Sequence, residues 1–121
     1  MKNTKKEFLM DVNYKILAKK ISEIIDSKKG KNTIIYDVKN LATFTDFIIL
    51  TTVNSAVQAN ALLKELNEKI SQKPHHIEGE SNQGWVLLDY NGVIVNIFTP
   101  EEREFYGLER LWGEAGTVGY K

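Results

Sequence analysis

Residues 85–98 read WVLLDYNGVIVNIF, two β-branched and aromatic runs joined by Asn91-Gly92. Asn-Gly between such runs is the strongest short-range hairpin signal, because both turn residues tolerate a positive φ. The stretch therefore predicts antiparallel strands over Trp85–Tyr90 and Val93–Phe98. Upstream, Gly79–Gly84 reads as a polar loop and His75–Glu78 as a short strand. Pro74 breaks the helix before it. That helix carries a stripe of Leu62, Leu63, Leu66 and Ile70 through about Gln72, and Asn54 or Ser55 supplies its N-cap. Further out, DFIILTTV at 46–53 is apolar on both faces, which predicts an interior strand of a sheet covered on both sides. TIIYDV at 33–38 is another strand. Leu17, Ile21, Ile24 and Ile25 mark an amphipathic helix over Leu9–Lys29, with Gly30 as its C-cap. Downstream, Thr99 reads as an N-cap, Pro100 as the first helical residue and Glu102 as the partner in a capping box. That last helix breaks near Gly107.

The order α-β-β-α-β-β-β-α predicts one α+β (mixed α/β) domain, a mixed five-stranded sheet with flanking helices. Residues 46–78 read as a right-handed parallel crossover and 85–98 as the antiparallel hairpin. The domain spans 9–113. Residues 1–8 are polar and basic and read as a flexible N-terminus. Residues 114–121 follow as a flexible tail, with three glycines among the nine residues from Gly113.

The 121 residues carry sixteen Lys plus Arg and sixteen Asp plus Glu. A zero net charge argues against a general nucleic-acid binder. The zero is uneven, however. Residues 1–31 hold nine Lys against four acids, a net of +5, and residues 76–121 hold three basic residues against eight acids, a net of −5. Arginine occurs only twice. Hydrophobic residues make up 42%, enough for a real core, and cysteine is absent, which excludes disulfides and thiolate chemistry. No apolar run approaches the roughly 20 residues that cross a bilayer, and no charged-then-apolar leader opens the chain. A cytoplasmic protein without membrane contact is the expectation.

Known catalytic patterns are missing from the sequence. It has neither G-x-G-x-x-G nor a phosphate-cradling G-x-x-x-x-G-K-[ST] loop. His75 and His76 are adjacent and would face opposite sides of a strand. Asp37, Asp46 and Asp89 sit near strand ends, where metal-dependent nucleotidyltransferases place paired aspartates, yet no Asp-x-Asp brings two of them to one face. No catalytic, metal or cofactor site is expected. The better lead is aromatic: Trp85, Leu87 and Asp89 share one face of their strand, a hot-spot composition, although a helix laid over Trp85 would make it core.

The run WVLLDYNGVIVNIFTPEEREFYGLERLW at 85–112 resembles the C-terminal signature of the bacterial ribosomal silencing factor family, also called Iojap-like. YDVKNLATFTDFIILTTVNS at 36–55 resembles the family's strand-loop-strand block with its aspartate pair, Asp37 and Asp46. IEGESNQGW at 77–85 resembles its Glu-Gly-to-Trp segment. The resemblance covers roughly residues 10–113. It implies a nucleotidyltransferase-like fold without the catalytic residues, and a protein that is not an enzyme. It further implies binding to the large ribosomal subunit through ribosomal protein fourteen, steric block of small-subunit joining, and repression of translation in starvation or stationary phase. A homodimer when free and marginal contact with rRNA are implied as well. On this reading Glu78, Trp85, Leu87, Asp89, Asn96 and Phe98 contact the ribosomal protein. Arg103, Tyr106, Glu109, Leu111 and Trp112 hold the last helices on the sheet, with Arg103 paired to a carboxylate. Asp37 and Asp46 complete the structural signature. The chain departs from the family pattern at Val53, at Val57-Gln58 in place of an Arg-His pair, and at Asn96 in place of His. A metal-dependent nucleotidyltransferase and a generic homodimerisation module are the alternatives.

Overall fold

Helix α1 (Tyr14–Ser27) starts where the Asn13 side chain accepts from the Ile16 N–H at 3.1 Å. Its buried face carries Leu17, Ala18, Ile21, Ser22 and Ile25, at helical spacing. The computed structural model describes residues 12–121. The expected flexible residues 1–8, and the helical reading at Leu9–Asp11, lie outside the described residues. At the other end, the left-handed residue that closes α1 is Lys29, φ 69°, where the sequence pointed to Gly30. Gly30 is needed for a different reason: a Cβ there would press into Ile25 and Thr51.

Strand β1 (Lys31–Asp37) begins with an irregularity, Asn32 at φ 53°, and then pairs antiparallel with β2 (Phe47–Thr52). All six residues of β2 are buried, as a continuous apolar run requires of an interior strand. Helix α2 (Ala56–Lys69) is capped by Ser55, whose Oγ accepts from the Gln58 N–H at 3.1 Å. Then come β3 (His76–Glu80), a single 3-10 turn at Ser81–Gln83, β4 (Trp85–Asp89) and β5 (Val93–Phe98). β3 runs two residues past the expected Glu78, through Gly79 at φ 82°. In the hairpin turn, only Asn91 takes a positive φ, 86°. Gly92 serves by size, since a Cβ would enter the Tyr14 ring. Helices α3 (Pro100–Tyr106) and α4 (Leu108–Leu111) are separated by left-handed Gly107, φ 61°. Pro100 takes the first turn as expected, but the Thr99 side chain makes no cap hydrogen bond, so the capping box does not form.

The sheet has six strands, not five, in the order β3-β4-β5-β2-β1-β6. The sixth, β6 (Gly116–Thr117), comes from residues 114–121, which glycine density read as a loose tail. It pairs with Tyr36 and Asp37, the Val118 N–H bonds the Ile35 carbonyl at 2.9 Å, and the Tyr120 hydroxyl donates to Asp26 at 2.7 Å. These bonds are long-range, so local composition does not reveal them. β2 and β5 are parallel neighbours and every other pair is antiparallel. β3 therefore runs in the direction of β2, as the crossover reading requires, but β4 and β5 lie between them.

Alternation sorts the strand residues onto two faces. Ile35, Ile49, Val86, Leu88, Val95 and Ile97 face α1 and α2 and form the main core with Ile21, Ile25, Leu62 and Leu66. Burial of such a side chain stabilises by about 1.5–3 kcal/mol. The opposite face holds a smaller cluster, Tyr36, Val38, Ile48, Leu50 and Phe98, against which Leu108 and Trp112 pack. That second face is only partly covered.

Candidate functional site: an apolar groove on the open sheet face

Register brings the sequence-predicted contact residues onto this second face. Trp85 lies opposite Phe98, Leu87 opposite Asn96, and Asp89 opposite Ile94. On the outer side, Glu78 pairs with Leu87 and Glu80 with Trp85. Period-two alternation then points all of these side chains the same way.

Between this face and α3–α4 runs a groove of about 300 Å³. Trp85, Leu87, Ile94, Asn96 and Phe98 line it from the sheet, and Tyr106, Leu108, Leu111 and Trp112 from the helices. Phe44 closes one end, 6.3 Å between ring centres from Trp112. The Trp85 ring lies nearly parallel to Phe98 at 6.4 Å and packs on Tyr106 at 5.4 Å. Its indole N–H donates to the Asn96 Oδ1 at 3.1 Å. Asn96 is itself buried, so the one polar atom of the indole is satisfied inside and the ring presents only apolar surface to the groove. Large apolar side chains stay in solvent around it: Phe44 is 60% exposed, Leu111 66% and Tyr106 46%. An apolar concavity with so much uncovered rim has the composition that protein-binding surfaces share.

Of the six predicted contact residues, Trp85, Leu87, Asn96 and Phe98 line the groove. Glu78 and Asp89 share the face but stand outside the lining. Glu78 is exposed and bonded to His76 Nε2 at 2.9 Å, and Asp89 accepts from the Asn91 N–H at 2.8 Å. Tyr106, Leu111 and Trp112, which sequence reasoning grouped with the structural residues, belong to the groove wall. Leu108 belongs to the run that carries the family resemblance, whereas Phe44 and Ile94 went unnoticed in sequence. Ile94 had a signal in its alternation with Asn96 and Phe98; Phe44, in the irregular connection 39–45, had no periodicity to mark it.

Arg103 is buried and anchors the wall. Its Nε and one Nη2 hydrogen reach the two carboxylate oxygens of Glu109, both at 3.2 Å, and Nη1 donates to Thr52 Oγ1 at 2.9 Å. This fork ties α3 and α4 to each other and to the end of β2. Tyr36 lies under it. Burial first, then the Glu109 charge, raise its phenol above the ordinary value, with Arg103 opposing.

Asp37 accepts from the backbone N–H and the Nζ of Lys39, at 3.1 and 2.9 Å, and these bonds hold its carboxyl below the usual range. Asp46 is held by its backbone, its N–H to Gly92 and its carbonyl to Val38. Among the described residues no three His, Asp or Glu side chains gather where they could hold a metal ion. Nor is any helix of those residues long and apolar enough to cross a membrane. At Gln58, a departure from the family pattern, the side chain accepts from the Asn54 N–H at 2.7 Å and donates to the Lys28 and Lys29 carbonyls at 3.2 and 2.9 Å.

The family model described as "Ribosomal silencing factor during starvation" matches residues 12–120. A ribosomal silencing factor of Halalkalibacterium halodurans is 35% identical over 98 residues, covering 78% of this chain and 83% of the relative. The chloroplastic Iojap protein of maize is also 35% identical, over 84% of this chain and 44% of its own longer length. A crystal structure from Bacillus halodurans superposes with a TM-score of 0.72 at 29% identity, covering 88% of this chain and 99% of that one. By the match over residues 12–120 and by these relatives, this chain belongs to the ribosomal silencing factor family.

Proposed function

We propose that this protein binds the large ribosomal subunit through ribosomal protein fourteen and blocks joining of the small subunit, lowering translation under starvation. The observation that carries the reading is the apolar groove with its exposed aromatic rim. Beside it lie Glu78, Glu80 and Asp89, which suit a basic ribosomal protein. Trp85 is the anchoring ring, with Leu87 and Phe98 beside it. The action needs occupancy alone: a factor seated where the small subunit docks shifts the joining equilibrium by mass action, and no bond is made or broken. The protein acts in the cytoplasm, where subunits join. When free, it covers the groove by pairing with a second copy, and dilution on a sizing column tests that pairing.

Co-sedimentation with purified large subunits tests the assignment of Trp85. Trp85→Ala is expected to lose most binding while circular dichroism reports a folded chain. Full co-sedimentation of that variant would remove Trp85 from the interface.

A further inference from the structure

Both arginines of the chain, Arg103 and Arg110, line one cleft on the far side of α3–α4 from the groove, and Lys31 lines it with them. The cleft measures about 470 Å³. It opens at the carboxyl ends of β2 and β5, where Thr52 ends one strand and Pro100 follows the other. These strands are parallel neighbours. The helix that follows β2 packs on one face of the sheet, and the helices that follow β5 pack on the other. In open, mostly parallel α/β sheets such a switch of faces leaves a crevice beyond the strand ends where ligands bind, and the one parallel pair of this otherwise antiparallel sheet has the same local arrangement.

The chemistry of this crevice is cationic. Arg103 spends three of its five N–H groups on Glu109 and Thr52, which leaves two. Arg110 lies over Gly107, where a Cβ would strike its guanidinium, so the glycine makes room for it. Neither Arg110 nor Lys31 has a carboxylate within 4.0 Å among the described residues. Glu104 and Glu109 are the acids of the lining, so three cations meet two acids. The two arginines cancel the two glutamates of the lining, and Lys31, brought in from the basic N-terminal stretch, supplies the positive excess. No aromatic side chain lines the cleft, so nothing there offers a stacking platform for a base.

We propose that this cleft binds a phosphate group, held by Lys31, Arg110 and the two remaining N–H groups of Arg103. Guanidinium forks match phosphate oxygens in pairs, and an ammonium adds a point charge. A backbone diester of RNA and a free nucleoside phosphate present the same oxygens, and the cleft recognises those alone. The inference does not depend on which protein fills the groove.

A chain with two arginines gives two Nε–H signals in a heteronuclear NMR spectrum, which makes the site directly readable. Labelled protein is titrated with inorganic phosphate, with guanosine diphosphate and with a short A-form RNA duplex, at constant ionic strength against a chloride control. Both signals are expected to shift saturably with a phosphate-bearing probe. A shift with the duplex alone identifies the RNA backbone as the source; a shift with the free phosphates identifies a small ligand. In the Lys31→Gln, Arg110→Gln double variant the surviving Arg103 signal should report binding at least about tenfold weaker, because charged hydrogen bonds are lost. Both substitutions fall on exposed side chains, so the fold is retained. Shifts no larger than those in chloride, or equal affinity in the double variant, would overturn the proposal. The titration contains no ribosomal component, so its failure and failure of the groove reading are told apart.

Discussion

Arg103 acts on the groove only through its neighbours. Its fork positions α3 and α4, and with them Tyr106, Leu111 and Trp112. Lysine keeps the charge but not the planar pair of bonds, so Arg103→Lys should cost about 1–2 kcal/mol, readable as a lower urea midpoint. Tyr90 makes a second residue-scale prediction. Burial pushes its phenol up to about 12, from an ordinary 10. The protonated form is thus favoured in the folded state. Its contribution is fully present below pH 10 and lost as pH rises from 10 to about 12, because the unfolded chain releases its proton first. Tyr120 titrates in the same window, also pushed up to about 12 by burial and by Asp26. An alkaline denaturation series should show stability falling between pH 10 and 12, and Tyr90→Phe should flatten that fall.

At the scale of elements, non-local contacts at two places fasten helix to helix and strand to strand. Gln58 clamps the start of α2 onto the end of α1, so Gln58→Ala should lower stability by about 1–2 kcal/mol in thermal melts. An unchanged midpoint would show the clamp to be solvent-replaced. β6 covers the outer edge of β1, and removal of residues 116–121 should lower the melting temperature and promote association through the bared edge. The elements themselves were largely legible. The hairpin at 85–98, the all-buried strand at 47–52 and the helix stopped before Pro74 each carry their signal within a few residues. Hidden from sequence were β6, whose pairing partner lies some eighty residues away in the chain, and the close of α1, where Lys29 takes the left-handed position expected of Gly30. The groove was half legible. Alternation placed Trp85, Leu87 and Asp89 on one face and the family resemblance added Asn96 and Phe98 across the hairpin, but no local pattern shows that α3–α4 lies across that face rather than beside it.

For the whole molecule, the zero net charge resolves into surfaces with different tasks. The sheet's second face joins an apolar groove to exposed acids, the cleft behind α3–α4 gathers the two arginines, and the Lys-rich α1 covers the opposite face. Occupancy of the groove is what keeps ribosomal subunits apart on this proposal, and Leu111 offers a handle on it because it lines the groove while 66% of it is exposed. The direct measurement is a sucrose-gradient profile of ribosomal subunits mixed under joining conditions with the wild-type protein or with Leu111→Glu. Wild-type protein is expected to shrink the joined-ribosome peak and travel with the large subunit, while Leu111→Glu leaves the peak nearly intact. A joined-ribosome peak that wild-type protein does not diminish, or that both proteins diminish equally, would contradict the proposal.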